Sequence, residues 1–289
     1  MPVLVQPPFN YTGSKYRLLP QLLPLFDYSR PALVDLFAGG GSVWCNLVPH
    51  FDRVIANDII RDLIGAQQAL MDGDAIVHET KALCVAKDDK PAYHRLRDDY
   101  NREPSAAKYF ALTLCCNNNM ARFNASFRFN QTFGRRTWNS STTEKVLRYT
   151  AHIRLYRSRV HFVPSDFAQV AIPDNSMVYV DPPYSNTEAG YNAYWRKDDD
   201  WRLFRHLLRL AERGNVIAVS GVLRHNGKES PLLNLLIDAG WQTHLVHSDY
   251  SVVSKVGPKE SQEVLLTNYE PAGMPLAEAR LESAEAVPA

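Results

Sequence analysis

Short apolar runs separated by amphipathic segments dominate the first and last parts of the chain. These runs have the length and the β-branched content of buried strands, and they lie at residues 33–37, 54–57, 177–180, 216–220 and 263–267, with a further segment near Leu245. A helix is predicted at 201–213, where acidic residues 198–200 suit the dipole at its N-terminus. Alternation of this kind predicts an α/β fold with a mostly parallel, Rossmann-like sheet covered by helices.

The middle of the chain has a different pattern. Helical periodicity is present at 62–71, 92–101 and 105–116, and a polar, Asn-rich and Arg-rich stretch with little periodicity follows. We therefore predict a catalytic domain formed by residues 1–60 and 155–270, into which a mostly helical lobe of residues 61–154 is inserted. Residues 271–289 are rich in Ala, Glu and Pro, which predicts a mobile tail.

Composition narrows the class of protein. With 45% hydrophobic and 22% charged residues, the chain is predicted to be globular, with enough apolar residues for a large core. No apolar stretch approaches the roughly 20 residues that a membrane span needs, and no signal peptide is evident, so a cytoplasmic protein is expected. The four cysteines lack CxxC spacing, which argues against a disulfide framework and against a metal site.

The formal net charge of +1 conceals an asymmetry along the chain. Residues 122–159 contain nine basic residues and one acid, Glu144, with aromatic residues interleaved among them. Such a basic segment is typical of contact with a phosphate backbone, and it predicts a nucleic-acid partner. The alternative is a solvated charged face, although such faces normally mix both signs.

The tetrapeptide Asp181-Pro182-Pro183-Tyr184 directly follows the apolar run 177–180. It is therefore expected at the carboxyl end of a buried strand, where open α/β sheets bind their ligands. The alternative is an ordinary turn after a strand, because Asp and Pro are common in turns.

These four residue types suit the methylation of an amino group on an aromatic base. Such a nitrogen is a poor nucleophile because its lone pair is delocalised, so hydrogen-bond acceptors must hold its N–H groups during attack. Asp181 supplies one acceptor and the Pro182 carbonyl a second. Tyr184 offers a face on which the base can stack, a contact that contributes about 1–3 kcal/mol in nucleic-acid sites.

A glycine loop at residues 35–42 follows the first strand and precedes a predicted helix. Glycines there let a ligand approach the backbone closely, and the loop lacks the lysine of a P-loop. Asp58 follows the second strand, where an acid can hold ribose hydroxyls. S-adenosylmethionine fits this arrangement better than a nicotinamide dinucleotide, because Trp44 stands where the third glycine of the dinucleotide motif belongs. The alternative interpretation of Asp58 is a helix N-cap.

In motif content and order the chain resembles the Dam-type (D12 class) DNA adenine-N6 methyltransferases, and the nearest likeness is to the Dam enzymes of T-even bacteriophages. The matching segments are YTGSKYRLLPQL (11–22), DLFAGGGSV (35–43), ANDI (56–59), LRDDYN (96–101), NNMARFN (118–124), FGRRTWN (133–139), SDF (165–167), VYVDPPY (178–184), YNAYW (191–195) and HNGKES (225–230). The resemblance implies a methyltransferase fold with an inserted DNA-recognition lobe.

The resemblance also implies roles for individual residues. Those matching the family's cofactor motifs, and so expected to bind S-adenosylmethionine, are Tyr11, Lys15, Asp35, Phe37, Gly39, Asp58, Asp166, Phe167 and Asp181. Catalysis is assigned to Asp181, Pro182, Pro183 and Tyr184.

For double-stranded DNA, the resemblance points to Asn119, Met120, Arg122 and Arg136, which match positions that the family uses to bind a GATC site. Arg136 is the candidate for a bidentate contact to guanine, and Arg122 is the alternative phosphate contact. The sequence departs from the family pattern at Phe127, where glycine is frequent. It also departs at Thr132 and Asn10, where proline and lysine are frequent, so the site read is expected to be GATC or a related short sequence.

Three alternatives remain open from sequence. A cytosine-N4 methyltransferase would use similar geometry, although serine is more usual at the position of Asp181. A dinucleotide-dependent oxidoreductase would need the missing third glycine. A non-catalytic DNA-binding module would keep the basic segment without needing the tetrapeptide. The oligomeric state is not predicted.

Overall fold

A computed structural model describes residues 4–11, 13–184, 195–196, 198–247 and 261–273. Its strands are β1 (Ala32–Asp35), β2 (Arg53–Asn57), β3 (Val160–Val163), β4 (Met177–Val180), β5 (Val216–His225), β6 (Lys228–Glu229), β7 (Gln242–Val246) and β8 (Ser261–Thr267). Its helices are α1 (Leu19–Leu22), α2 (Trp44–Leu47), α3 (Arg61–Asp72), α4 (Ala75–Leu83), α5 (Lys90–Arg102), α6 (Ala106–Cys115), α7 (Ser140–Ile153), α8 (Asp199–Glu212) and α9 (Pro231–Asp238).

The described strands form one mixed sheet, which confirms the predicted fold class. Its main path runs in the order β3-β2-β1-β4-β5-β8-β7, and β6 pairs with the end of β5. Strands β1 to β5 run parallel, whereas β8 is antiparallel to both β5 and β7. All residues of β1 and β4 are buried, as expected for strands covered by helices on both faces.

Helix α8 illustrates how the pattern of side chains determines packing. Leu203, Leu207 and Leu210 follow the helical repeat and are buried against the sheet. Burying each leucine stabilises the fold by about 1.5–3 kcal/mol. Asp199 and Asp200 lie in the first turn, where their negative charge is attracted to the positive end of the helix dipole and stabilises the helix. The helix therefore begins at Asp199, two residues earlier than the sequence predicted.

Between β2 and β3 the chain leaves the sheet and forms α3 to α7. Helices α3, α4 and α5 pack against α6, which is buried along almost its entire length. One continuous apolar core includes Leu33 and Met177 of the sheet, Phe110 of α6 and Tyr149 of α7. The segment between β2 and β3 thus shares its core with the sheet.

The stretch expected to have little periodicity contains no strand and no α-helix as far as residue 139, but the sequence missed α7, which follows it. Residues 116–134 form a hairpin with antiparallel bridges Cys116–Phe133 and Phe123–Phe129. Helix α7 follows, and the side chain of its N-cap Asn139 accepts a hydrogen bond from the Thr142 amide. The sequence also missed α4 and β3. Strand β3 lies at the edge of the sheet and is only partly buried, so its apolar pattern is weak.

Candidate active site

The order of the strands reverses between β1 and β4, which lie side by side in the sheet. Asp35 is the last residue of β1, and Asp181 directly follows β4. The carboxyl ends of two parallel strands at such a reversal form the usual ligand crevice of an open α/β sheet. Here it is a cleft with an empty volume of about 970 Å³.

Every residue that the sequence assigned to cofactor binding or catalysis lines this cleft. They are Tyr11, Lys15, Asp35, Phe37, Gly39, Asp58, Asp166, Phe167, Asp181, Pro182, Pro183 and Tyr184. They come from five separate parts of the chain, so the fold brings the predicted residues together in one place.

Asp181 lies at the centre of a hydrogen-bonded cluster. Lys15 Nζ donates to Asp181 Oδ2 at 2.6 Å and to the Tyr184 hydroxyl at 2.7 Å. Tyr184 in turn donates to Asp181 Oδ1 at 2.8 Å, and Ser220 Oγ donates to the same oxygen at 3.0 Å. Both carboxylate oxygens are therefore fixed by donors that belong to the protein, and charge-assisted bonds of this kind are the stronger ones.

Residues of the sheet and of the segment at 13–15 hold this cluster in place. Tyr179 of β4 and Ser220 of β5 share a hydrogen bond of 2.8 Å, and burial raises the pKa of the Tyr179 hydroxyl. Lys15 follows Ser14, whose side chain caps a short helical turn, and its ammonium also donates to the Gly13 carbonyl at 2.8 Å. The Lys15–Asp181 ion pair is largely buried, with 6% and 18% of the two side chains exposed.

The glycine loop has a conformation that depends on its small residues. Gly39 has a φ of +49°, and a Cβ there would lie 2.9 Å from the ring of Tyr11. The Gly39 amide donates to Asp58 Oδ2 at 3.0 Å, while Gln67 Nε2 donates to the Gly39 carbonyl at 2.9 Å. Tyr11 and Asp58 thus hold the loop from two sides, and its backbone lines the cleft.

Asp35 is 1% exposed and its two oxygens differ. Oδ2 accepts the amide of Trp44 at 3.1 Å, whereas Oδ1 is buried without a hydrogen-bond partner among the described residues. Burial raises the pKa of Asp35 well above its ordinary value; the Trp44 amide lowers it, and the neighbouring carboxylates Asp181 and Asp58 raise it further. An unpartnered buried acceptor in a cleft is a position at which a ligand can donate a hydrogen bond.

Asp58 follows β2 and is 5% exposed. Its Oδ1 accepts the Ile60 amide at 2.9 Å, so it also supports the turn into α3. Burial raises the pKa of Asp58 to about 6, although the amides of Ile60 and Gly39 act in the opposite direction. The N-cap of α3 is Ile60, so the interpretation of Asp58 as a helix N-cap was wrong; Asp58 supports the turn before the helix and presents a carboxylate to the cleft.

One end of the cleft is aromatic. Phe37, Phe167 and Trp195 are mutual neighbours, with ring centroids 5.7–5.9 Å apart. Arg202 lies over the Phe167 ring at 4.4 Å and forms an ion pair with Asp166. Flat apolar faces beside a carboxylate suit a heteroaromatic ring that carries an amino group.

The residues predicted to bind DNA lie on and beside the 116–134 hairpin. Arg136 donates to Asn119 Oδ1 at 2.6 Å, and Asn119, which is 8% exposed, donates to the Leu114 carbonyl. Arg122 is exposed and its guanidinium contacts Asn130, while Met120 is half-buried. Asn119 and Arg136 also line a separate polar groove with an empty volume of about 840 Å³.

Several residues of the site carried no assigned role from sequence. Trp195, Ser220 and Arg202 are the clearest examples, because each contacts a residue that was predicted. Ser220 ends a run predicted as a strand, but β5 continues to His225; the Ser220 hydroxyl reaches Asp181 because the neighbouring strand β4 ends at Val180, which pairs with Val219. Of the matched segment at 191–195, residues 191–194 lie outside the described residues, as do residues 274–289 of the predicted tail.

Within the described ranges, no group of three or more His, Cys, Asp or Glu side chains is arranged to hold a metal ion. None of the helices in that part of the chain is long and apolar enough to cross a membrane.

The chain is similar in sequence to a known protein family and to several characterised enzymes. Residues 11–243 match the model of the D12 class N6 adenine-specific DNA methyltransferases. The Type II methyltransferase M.FokI of Planomicrobium okeanokoites is 30% identical over 280 residues, and the Modification methylase StsI of Streptococcus sanguinis is 29% identical over 290 residues. Each match covers 92% of this chain but only 43% of the relative, so the chain spans less than half the length of these relatives.

A relative of similar length gives a match over most of both chains. The DNA adenine methylase of Escherichia coli K12 is 27% identical over 279 residues, which cover 91% of this chain and 94% of that protein.

Proposed function

Because this chain belongs to the D12 class of N6 adenine-specific DNA methyltransferases, we propose that it transfers a methyl group from S-adenosylmethionine to N6 of an adenine in double-stranded DNA. The observation that carries the proposal is the fixed carboxylate of Asp181 at the carboxyl end of β4, inside the cleft that also contains Asp35, Asp58 and the glycine loop. The reaction would occur in the cytoplasm of a bacterium or of a phage-infected cell.

The cleft fits S-adenosylmethionine by several independent features. The glycine loop leaves room that a Cβ would fill, Asp58 offers a carboxylate to ribose hydroxyls, and Phe37 and Phe167 offer faces to the adenine. Oδ1 of Asp35 is a buried acceptor that suits a donor on a cationic ligand. Tyr11 packs against Gly39 of the loop and Lys15 holds Asp181, while Asp166, which lines the cleft, is proposed to accept from an amino group of the cofactor.

The target base must leave the helical stack, because N6 cannot reach a buried carboxylate from within a duplex. Tyr184 is proposed to stack against the extruded adenine, while Asp181 and the Pro182 carbonyl accept its two N6 hydrogens. Pro183 stiffens the turn, since its ring fixes φ. The nitrogen keeps its lone pair directed away from these acceptors, and after the attack the cationic nitrogen would pass one proton to the Asp181 carboxylate, which would release it to solvent.

Bound S-adenosylmethionine would supply a methyl carbon activated by a positively charged sulfur; N6 would form a bond to this carbon as the carbon–sulfur bond breaks, and the neutral thioether would be the leaving group. The protein contributes position and electrostatics: the carboxylates of Asp35 and Asp181 stand close to where positive charge is held. Lys15 also donates to Asp181 Oδ2, so its ammonium and a hydrogen of N6 would share this carboxylate.

The target-recognition lobe is proposed to be the segment 61–154 and to read GATC or a related short site. Arg136, held by Asn119, is the candidate for guanine recognition, and Arg122 and Met120 are further candidates for contact with DNA, Arg122 as a phosphate contact. The nearer likeness to the Dam enzymes of T-even bacteriophages stays a prediction, which a phylogeny of the D12 class would test.

The decisive experiment uses Asp181→Ala with a duplex substrate and labelled S-adenosylmethionine. We expect the variant to retain measurable binding of cofactor and DNA but to lose turnover about a hundredfold or more, because an acceptor of the reacting nitrogen is gone. Near-normal methylation would refute the assignment.

Mass spectrometry of nucleosides from DNA treated with the wild-type protein distinguishes the alternatives. N4-methylcytosine in place of N6-methyladenine would indicate a cytosine methyltransferase. Salt-dependent DNA binding without any transfer of label would indicate a non-catalytic binding module. Sequencing that detects modified bases then identifies the recognised site.

A further inference from the structure

Helix α3 carries a glutamine on its buried face. Gln67 is fully buried, as are Leu63, Ala66 and Leu70 of the same helix. Glutamine is uncommon at such a position, because a buried amide is costly unless its hydrogen bonds are made. Gln67 is not one of the residues that line the cleft, so direct contact with a ligand there does not explain it.

Both ends of the Gln67 amide form hydrogen bonds to the glycine-loop region. Its Nε2 donates to the Gly39 carbonyl at 2.9 Å, and its Oε1 accepts the indole N–H of Trp44 at 2.8 Å. Because one bond requires the amide nitrogen and the other requires the oxygen, the two bonds together fix the orientation of the side chain. A buried polar group that is satisfied in this way specifies one arrangement of its neighbours.

The bond from Gln67 to Gly39 reaches the first carboxylate of the cleft. Gly39 is held at its carbonyl by Gln67 and at its amide by Asp58 Oδ2, at 3.0 Å. Glycine otherwise visits a wide range of backbone conformations, so these two bonds select the one in which the Gly39 amide points at Asp58. Gln67 therefore acts on Asp58 through one intermediate residue.

The bond from Gln67 to Trp44 reaches the second carboxylate. The indole of Trp44 is held by Gln67, and the backbone amide of Trp44 donates to Asp35 Oδ2 at 3.1 Å. A Cβ on Gly41 would clash with Gln67 Oε1 and would lie 2.7 Å from Trp44 Nε1. The loop therefore passes directly over this bond, and it has room to do so because residue 41 is glycine.

We propose that Gln67 is a positioning residue for the cofactor, which holds the glycine loop and Trp44 so that Asp58 and Asp35 are arranged to bind S-adenosylmethionine. The proposal rests on the proposed function, because S-adenosylmethionine is the ligand proposed for the cleft. Without the two bonds of Gln67 the loop samples other conformations. If about one molecule in ten keeps the competent conformation, the apparent affinity for the cofactor falls about tenfold.

Gln67→Met tests the proposal, because methionine has a similar volume and can form neither bond. In calorimetric titrations this variant should bind S-adenosylmethionine about tenfold more weakly than the wild type. In methylation assays the KM for S-adenosylmethionine should rise, while kcat should stay within about threefold, because the residues proposed to hold the reacting nitrogen are unchanged. Gln68→Met is the matched control: Gln68 is the exposed neighbour on the same helix, and the affinity should not change.

Two further measurements separate positioning from a general loss of stability. Hydrogen exchange of the free protein at residues 38–42 should be about tenfold faster in Gln67→Met, because the loop opens locally. Val146→Ala removes buried methyl groups from α7, and Val146 does not line the cleft. This variant should melt at a lower temperature and keep the wild-type affinity for S-adenosylmethionine.

The connection through Gly39 also predicts coupling between Gln67 and Asp58. In an Asp58→Asn background, Gln67→Met should weaken binding of S-adenosylmethionine about threefold or less, because the carboxylate that it positions is gone. An unchanged affinity of Gln67→Met would overturn the proposal, as would an equal loss in Val146→Ala or a full tenfold loss in the Asp58→Asn background. Failure of the proposed function would appear separately, as a wild-type protein that does not bind S-adenosylmethionine. The exchange measurement needs no cofactor, and unchanged exchange at residues 38–42 would overturn the role of Gln67 in either case.

Discussion

The raised pKa of Asp58 predicts that cofactor binding depends on pH. The folded pKa of about 6 lies above the ordinary value of 3.8, because burial disfavours the carboxylate. Ribose hydroxyls donate hydrogen bonds most favourably to the ionised form. Affinity for S-adenosylmethionine should therefore be highest above pH 7 and should fall as the pH is lowered through 6.

The magnitude follows from the fraction of ionised Asp58. At pH 7 about ten in eleven molecules carry the carboxylate, and at pH 5 about one in eleven does, given a pKa of about 6. If only the ionised form binds well, affinity falls about tenfold between these values, which corresponds to about 1.4 kcal/mol.

The raised pKa of Asp58 also affects the stability of the free protein, which changes with pH in the opposite direction to the affinity for the cofactor. Between about pH 4 and 6 the folded state holds a proton on Asp58 that the unfolded state has released, so this group makes the fold less stable as the pH rises through that window. The contribution is about 3 kcal/mol at most, since the shift is about two pKa units.

Calorimetric titration with S-adenosylmethionine at several pH values tests the prediction, with Asp58→Asn as the control. The asparagine variant should bind S-adenosylmethionine more weakly at pH 7, and its affinity should depend less on pH. Any titration of the cofactor itself affects both proteins equally, so the difference between them reports Asp58. Equal pH profiles for the two proteins, or a wild-type affinity that is flat from pH 5 to 7, would refute the reasoning.

Two further substitutions test other parts of the structure. Lys15→Met removes the ammonium that donates to Asp181 and should slow single-turnover methyl transfer about tenfold or more, because a hydrogen bond between charged groups is lost; an unchanged rate would contradict this. Gly134→Ala would place a methyl group 2.1 Å from the Cys116 carbonyl oxygen and should lower the free energy of unfolding by about 1–3 kcal/mol or more, measured by urea denaturation. Gly73→Ala is its control, because a Cβ there meets nothing within 4 Å, and it should change stability by less than about 1 kcal/mol.

The sequence predicted the parts of the fold whose pattern is locally strong. The run at 177–180 coincides with β4, and the predicted strand at 54–57 lies within β2, because strands buried on both faces are continuous apolar runs. Helix α7 was missed because it begins with Ser and Thr residues of low helix propensity. Its buried positions Val146, Tyr149, Thr150 and Ile153 follow the helical repeat and were the available signal.

The sequence identified those residues of the site that lie within a recognisable motif. It did not show which of them contact each other. Asp181 and Lys15 are 166 positions apart, and no local pattern shows that they form an ion pair. Ser220 and Arg202 act through neighbours that only the folded chain supplies. The division into a catalytic domain and an inserted lobe stays a prediction, since the core of the two is continuous.

That continuous core has a consequence for protein engineering. Helix α6 and helix α7 share buried contacts with the sheet, so exchanging the whole of residues 61–154 between relatives would cut through one packed interior. The 116–134 hairpin, in contrast, projects its tip from two buried anchors, Phe123 and Phe129. If the proposed function holds, a change of the recognised DNA sequence is therefore best attempted by grafting residues 117–136, which include all four candidate DNA-binding residues, while the helices beneath are kept as they are.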